Sequence, residues 1–137
     1  MKYIFFAACL FLTACNKQGN DPVNISGDWE LRMVRSDMPT TMYPAGNNNI
    51  IVFTANTYSR YAGGVLLKTG TYTIIPDATF NALVVRPGEY THRIVYDGND
   101  NAQKIFIQLS GDKLDFVSGQ FATDGGVQEE YQRKTSY

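Results

Sequence analysis

Turn-forming residues interrupt this chain at regular intervals, and no other feature of the sequence constrains the fold as strongly. After residue 24, clusters of Gly, Asn, Asp and Pro separate short runs of β-branched and aromatic residues at intervals of about 8 to 12 residues. Such runs favour strands, and no segment shows helical periodicity over a convincing length. The candidate strands are residues 27–35, 49–54, 57–62, 66–75, 80–86, 90–96, 103–109, 113–118 and 127–134. We therefore expect an all-β domain.

The links between consecutive candidate strands are short and suit tight turns. Residues 97–101 and 110–112 are rich in Gly, Asn and Asp, which tolerate positive φ. Short links of this kind join neighbouring antiparallel strands, so the sequence predicts an up-and-down meander.

Alternation along the first candidate strand separates two faces. Trp29, Leu31 and Met33 share one face, whereas Glu30 and Arg32 point to the other face, which we expect to be solvated. A meander with one apolar face buries that face and removes its exposed edges by curling into a barrel. The predicted fold is a small antiparallel up-and-down barrel of about eight strands, without a substantial helix. Its interior is either filled by side chains or holds one small ligand.

The first residues have the composition of a secretion signal. Residues 1–14 contain one cation, Lys2, and then an apolar run that is too short to span a bilayer permanently. Residues 12–15, Leu-Thr-Ala-Cys, resemble the lipobox of bacterial lipoproteins. This resemblance implies cleavage before Cys15 and lipid attachment to its thiol. The alternative is an ordinary secretory signal that leaves Cys15 as a free thiol.

The predicted cleavage divides the rest of the chain into a tether and a domain. Residues 15–24 are polar, contain Gly and Pro and lack periodicity, so we expect a flexible tether before a single domain at residues 25–137. Cys9 leaves with the signal, so the remaining Cys15 cannot form an intramolecular disulfide. An Asp directly after the lipidated Cys would resemble an inner-membrane retention signal, but this position is Asn16. We therefore expect a lipid anchor in the outer membrane, and the sequence leaves open which leaflet holds it.

Charge and residue inventory argue against several functional classes. The chain has 12 Lys+Arg against 13 Asp+Glu and no basic run, so we expect no nucleic-acid partner. Its single His92 and the absence of a Gly-x-Ser-x-Gly motif leave no nucleophile with a base. Glu129 and Glu130 are adjacent on a strand and point to opposite sides, so they cannot flank one glycosidic bond. We expect no enzymatic activity.

The same inventory gives no support for a metal or cofactor. One histidine and a lipidated cysteine cannot supply a zinc site. Residues 97–101 resemble the start of a calcium loop, but the Gly and Glu required later in such a loop are missing, so we expect a hairpin turn there.

Gly27-Asp28-Trp29 matches the Gly-x-Trp signature of lipocalins. Four further segments extend the likeness, namely residues 53–58, 70–74, 113–116 and 131–133. Across residues 25–134 the chain resembles the small lipocalin-like lipoprotein domains of the Bacteroidetes group. The resemblance implies that Gly27 and Trp29 lie at the barrel floor and that Arg133 stacks over the indole as a structural contact. The chain is shorter than a full lipocalin, so the resemblance does not extend to a large ligand cavity.

Polar and aromatic side chains align on possible interior faces of three candidate strands. These side chains are Tyr58, Arg60, Tyr72, His92 and Tyr96. In a lumen, Tyr and Arg offer hydrogen bonds to an anionic or amphipathic ligand within an apolar cavity. Alternatively, the rings fill the core and their hydroxyls reach solvent at the rim. The alternation of the strands leaves both arrangements open.

Residues 36–48 form the longest segment without a predicted strand, and long loops are often functional. Met38, Met42 and Tyr43 are its apolar members, and the resemblance places this loop over the barrel mouth. There they either cap a ligand or meet a protein, or they pack down as a plug.

Two functions follow. The first is a non-enzymatic cell-envelope lipoprotein that binds a small hydrophobic or amphipathic molecule, and the alternative is a filled barrel that docks an envelope protein or inhibits an enzyme. An empty volume of about 300 Å³ or more bounded by Arg60, Tyr72, His92 and Tyr96 favours the first, and contact among their rings favours the second.

Overall fold

A computed structural model describes residues 22–80, 89–119 and 125–135. All of the regular structure in these ranges is β-strand. The strands are β1 (Gly27–Arg35), β2 (Thr41–Met42), β3 (Ile50–Phe53), β4 (Thr57–Ala62), β5 (Val65–Pro76), β6 (His92–Tyr96), β7 (Ile105–Ser110), β8 (Lys113–Ser118) and β9 (Val127–Arg133).

The strands form one antiparallel sheet that closes on itself. β1 pairs with β3 through residues 27–30 and with β9 through residues 29–35, and strands β3 to β9 pair in chain order. Eight strands therefore make a closed up-and-down barrel, and the short strand β2 pairs with the end of β1. The prediction of a small antiparallel barrel of about eight strands is confirmed.

The remaining local predictions differ in detail from the structure. The two-residue strand β2 lies within residues 36–48, where no strand was predicted. The predicted strand at residues 80–86 falls almost wholly outside the described residues, and Phe80 itself is not in a strand. A tight turn connects β7 to β8, with positive φ at Gly111, whereas residues 97–104 form a longer link between β6 and β7 that begins with positive φ at Asp97 and Gly98.

A β-bulge in β1 reverses the faces of its second half. The pairing with β9 shifts between Leu31 and Met33, which leaves Arg32 as the extra residue. Val34 consequently packs against the main core, whereas Met33 is buried away from it. The prediction that Met33 shares a face with Trp29 is therefore wrong, because strict alternation does not survive an inserted residue.

The prediction that Glu30 is solvated is also wrong. Glu30 is only 2% exposed, although its side chain lies on the face of β1 opposite that of the neighbouring Trp29. The carboxylate accepts hydrogen bonds from the backbone N–H groups of Gly46 (3.1 Å) and Asn48 (3.3 Å) and pairs with Arg32 at 2.9 Å. The β1–β3 loop thus covers Glu30, and the carboxylate holds the loop against the barrel wall.

A second apolar cluster covers part of the outer face of β7 and β8. Tyr90, Phe106 and Val117 are buried there, and Phe80 packs against them. Phe106 points away from its neighbour Ile107 in the main core, but it is buried in this second cluster rather than solvated. Phe80 and Tyr90, which lie between β5 and β6 in the chain, supply its cover.

Aromatic rings fill the middle of the barrel. Tyr58 and Tyr96 have ring centres 4.6 Å apart, and Phe53 and Tyr72 have ring centres 4.9 Å apart. A further edge contact at 5.5 Å joins Phe116 to Tyr131 on the opposite wall. The centre is therefore packed as a core.

One end of the barrel, here called the floor, is closed around Trp29. This side chain is fully buried, and its indole N–H donates to the carbonyl of Ile25 at 2.7 Å. The guanidinium carbon of Arg133 lies 4.1 Å from the ring centre, and its Nη1 donates to the carbonyl of Ser26 at 2.8 Å. Gly27 has a φ of +127°, and a Cβ there would lie 2.6 Å from Nη1 of Arg133. Glycine at this position therefore makes room for the stacked arginine.

Candidate functional site at the barrel mouth

The mouth is the end of the barrel at which β4, β6 and β8 end, opposite the floor. Two small openings lie there, one on each side of an ion pair between Arg60 and Glu129. The inner chamber has a volume of about 190 Å³, and the remaining residues around it are Tyr96, Ile105, Phe116, Ser118 and Val127. The side chamber has a volume of about 180 Å³, and its wall includes Leu31, Tyr43, Ile51, Tyr61, Leu67 and Tyr131.

The ion pair sits on the inward faces of two strands. Arg60 lies opposite the core residue Ile51 in the β3–β4 ladder, and Glu129 lies opposite Phe116 in the β8–β9 ladder. Nη2 of Arg60 is 3.3 Å from Oε2 of Glu129, and the hydroxyl of Tyr131 donates to the same oxygen at 3.0 Å. The two strands approach each other across the barrel through this contact.

The pair is accessible from the mouth. The side chains of Arg60 and Glu129 are 42% and 26% exposed. Burial acts to lower the pKa of Arg60, but Tyr131 and Glu129 outweigh it and hold that pKa above its ordinary value. A charged guanidinium therefore stands between the two chambers at all physiological pH values.

Two hydroxyl groups face the inner chamber without a protein partner. Among the described residues, neither the hydroxyl of Tyr96 nor that of Ser118 makes a hydrogen bond, although both residues line this chamber. Burial raises the pKa of Tyr96 well above its ordinary value, so its hydroxyl keeps its proton. The inner chamber thus presents hydrogen-bond donors that nothing in the described barrel satisfies.

The five residues predicted to line a lumen are separated by the structure. Arg60 and Tyr96 border the inner chamber, and Tyr58 lies in ring contact with Tyr96. Tyr72 instead lines an open cleft at the floor, where its hydroxyl donates to the carbonyl of Thr54 at 2.7 Å. His92 begins β6 at the floor end, and Nδ1 lies 2.9 Å from the hydroxyl of Thr91.

These positions meet neither of the two expectations in full, namely one empty volume bounded by four predicted residues or contact among all of their rings. Arg60, Tyr72, His92 and Tyr96 do not surround a common cavity, because the Tyr72 side chain borders the floor cleft and His92 borders neither chamber at the mouth. The space at the mouth is bounded by only two of the four. Rings in contact fill the middle, and two small chambers remain above them.

The loop residues predicted to lie at the mouth differ from one another in their burial. Tyr43 packs against the core and lines the side chamber. Met38 and Met42 are 73% and 68% exposed, so they do not plug the barrel.

A second ion pair lies at the rim, outside both chambers. Nζ of Lys68 is 2.9 Å from Oδ2 of Asp97, and the hydroxyl of Tyr58 donates to the same oxygen at 3.3 Å. The Lys68 hydrogen bond, with that of the Thr71 backbone, holds the pKa of Asp97 below its ordinary value. Asp97 is thus engaged by protein groups in the turn that resembles a calcium loop. No cluster within the described ranges groups three potential metal ligands.

Sequence reasoning missed several residues of the mouth. It assigned no site at the mouth to Glu129, Ser118 or Leu67. The alternation of β9 carried the missing signal, because Arg133 at the floor and Tyr131 in the core place Glu129 on the same inward face. Leu67 gave no such signal, because the β4–β5 register shifts beside it.

Comparison with known proteins gives no match to a family model or to a curated protein sequence. Within the described part of the chain, no helix has the length and apolar character needed to cross a membrane. The predicted signal, the lipidation site Cys15 and most of the tether at residues 15–24 lie outside the described residues.

Proposed function

We propose that this chain is a cell-envelope lipoprotein that binds a small amphipathic molecule at the mouth of its lipocalin-like barrel. The observation that carries the proposal is the pair of chambers separated by Arg60 and Glu129. Each chamber combines an apolar wall with a few polar groups, which is the usual composition of small-molecule sites. The separating ion pair is partly exposed, and an exposed pair contributes only about 0 to 1 kcal/mol, so a ligand can rearrange it at small cost.

The size of the site supports a small ligand. Neither chamber reaches the roughly 300 Å³ at the lower end of drug-sized pockets, but their combined volume exceeds it. A side-chain rotation of Arg60 that joins the chambers would therefore open a site of ordinary size. The packed rings below prevent a long ligand from reaching the floor.

Analysis of co-purifying small molecules tests the proposal. The full chain is purified from its own host, extracted with organic solvent and analysed by mass spectrometry for compounds enriched over a mock purification. We expect an enriched compound that is lost from the variant Arg60→Ala. Lys68→Ala is the matched control, because it removes a second cation at the mouth that borders neither chamber. A compound retained equally by both variants contradicts binding at the mouth.

Metabolic labelling tests the envelope part of the proposal. Cells that produce the chain are grown with a labelled fatty acid, and the label is followed on the purified protein. We expect Cys15→Ser to abolish labelling and Cys9→Ser to leave it unchanged, because Cys9 lies within the predicted signal. Label that persists in Cys15→Ser contradicts the lipid anchor.

A second candidate function is supported by the apolar rim. Val65, Leu66 and Leu67 follow the β4–β5 turn and are exposed, as are Met38 and Met42 in the β1–β3 loop. Exposed aliphatic groups near one end of a domain are typical of protein-interaction surfaces. In this alternative the barrel docks an envelope protein or inhibits an enzyme through its rim. Leu66→Ser combined with Leu67→Ser would then abolish partner binding, whereas Arg60→Ala would have no effect.

A further inference from the structure

We infer that the ligand's head group is a singly charged carboxylate that enters the inner chamber, with its apolar tail directed through the side chamber to the rim. This inference rests on the proposed function and deepens it by naming the chemical class and the orientation of the ligand.

The hydrogen-bonding groups of the inner chamber favour an acceptor. A guanidinium has five N–H donors, and among the described residues Arg60 uses them only for Glu129. The hydroxyls of Tyr96 and Ser118 are further donors without a protein partner within the described barrel. On the acceptor side, Oε2 of Glu129 already receives two hydrogen bonds, which leaves its second oxygen. The hydroxyls can donate or accept, but the uncommitted N–H groups of the Arg60 guanidinium can only donate and outnumber the one open oxygen of Glu129. The inner chamber therefore has an excess of donors, and a carboxylate complements that imbalance.

The charge at the mouth limits how negative the head group is. Arg60 and Glu129 neutralise each other, so the inner chamber has no net charge from this pair before a ligand enters. A monoanion adds one negative charge and gains a planar, bidentate contact with the guanidinium. A phosphate dianion would meet the Glu129 carboxylate with twice the charge and therefore stronger repulsion. The carboxylate is the better match.

The apolar surface fixes the direction of the tail. The side chamber adjoins the same guanidinium and is walled by Leu31, Ile51 and Leu67. Leu67 is 62% exposed, so an apolar path continues from this chamber to the rim. The floor direction is closed by the packed rings of Phe116 and Tyr131. A tail bound beside Arg60 therefore leaves through the mouth, and the head group occupies the inward position.

Hexanoate, hexylammonium, 1-hexanol and hexyl phosphate are suitable probes, because they share one short tail and differ in the head group. The full chain is reconstituted in lipid nanodiscs, and binding is measured by isothermal titration calorimetry with empty nanodiscs as the blank. We expect hexanoate to bind more tightly than the other three. Arg60→Gln weakens hexanoate binding about 10- to 100-fold, because it removes a hydrogen bond to a charged group.

Two further measurements separate direct contact from loss of structure. Tyr96→Phe keeps the ring that packs on Tyr58 and removes only the hydroxyl, and we expect hexanoate binding to weaken by about tenfold. Lys68→Ala, the matched rim cation, leaves the affinity unchanged. With ¹³C-labelled hexanoate, NMR titration should show a lower carboxyl pKa in the bound state than in water, since Arg60 favours the charged form.

The outcomes distinguish this inference from the proposed function. If 1-hexanol or hexylammonium binds in an Arg60-dependent manner and hexanoate does not, the carboxylate inference is wrong and binding at the mouth stands. Preference for hexyl phosphate likewise overturns the choice of a monoanion. If none of the four probes binds at millimolar concentration, both this inference and the proposed function fail. Equal weakening of hexanoate by Lys68→Ala and Arg60→Gln shows general attraction to the mouth rather than a built site, and also overturns the inference.

Discussion

Replacing Trp29 by alanine tests how the barrel floor is held together. The side chain is fully buried, so its removal leaves a large cavity, and changes of this kind cost about 3 to 5 kcal/mol. It also removes the hydrogen bond to Ile25 and the stack with Arg133, and the latter is worth about 0.5 to 2 kcal/mol. Because these contributions overlap, we expect Trp29→Ala to lower the free energy of unfolding by about 4 kcal/mol.

Trp29→Phe separates packing from the polar contact. It keeps most of the buried apolar volume but leaves the Ile25 carbonyl without its donor, which costs about 1 to 3 kcal/mol. Both variants are unfolded with guanidinium chloride and followed by circular dichroism, because Trp29 is the only tryptophan and its fluorescence is lost. As a coupling test, Arg133→Ala should cost less in the Trp29→Ala background than in the wild type. A Trp29→Ala midpoint within error of the wild type would refute the account of the floor.

Two further predictions concern the buried carboxylate of Glu30 and the partly buried carboxylate of Asp115. Glu30→Ala removes the acceptor from two loop N–H groups and from Arg32, so we expect a loss of about 3 to 5 kcal/mol in the free energy of unfolding, and a smaller loss for Glu30→Gln. Equal stability of Glu30→Ala and the wild type in a denaturant titration would contradict this. Burial, together with Glu130, raises the pKa of Asp115 from 3.8 to about 6. The folded state then holds a proton that the unfolded state releases, so this group's contribution to stability falls as pH rises from about 4 to about 6. We expect a change of about 1 kcal/mol after allowance for its partial exposure. Asp115→Asn should remove this part of the pH dependence, and an unchanged profile would contradict the assignment.

The fold could be predicted from the sequence because its determinants are local. Regular spacing of turn residues and alternation within strands place the strands and their antiparallel order, since both depend on backbone geometry within a few residues. The inward direction of Trp29 and Leu31 followed from alternation alone. Glu30 shows the limit of this reasoning, because its burial depends on a loop that returns to cover it.

The candidate site was only partly predictable. Arg60 and Tyr96 were identified because they lie on inward faces of strands, and both border the inner chamber. Alternation reports the face on which a side chain lies but not the end of the barrel that the side chain reaches, so it groups Tyr72 and His92 with them. Tyr72 is paired with Tyr96 in the β5–β6 ladder, yet its hydroxyl lies at the floor cleft. The end that a side chain reaches depends on strand stagger and on packing in the closed sheet.

The sequence alone determined the all-β class, the meander and the small barrel, because period-two patterning and turn chemistry act over short distances. It also contained the Gly27, Trp29 and Arg133 positions that meet at the floor. Only the tertiary structure decided that Arg60 meets Glu129 across the mouth, since these residues are 69 positions apart and the contact requires closure of the barrel. It also decided how much space remains, because the volume left at the mouth depends on the packing of side chains from five strands at once.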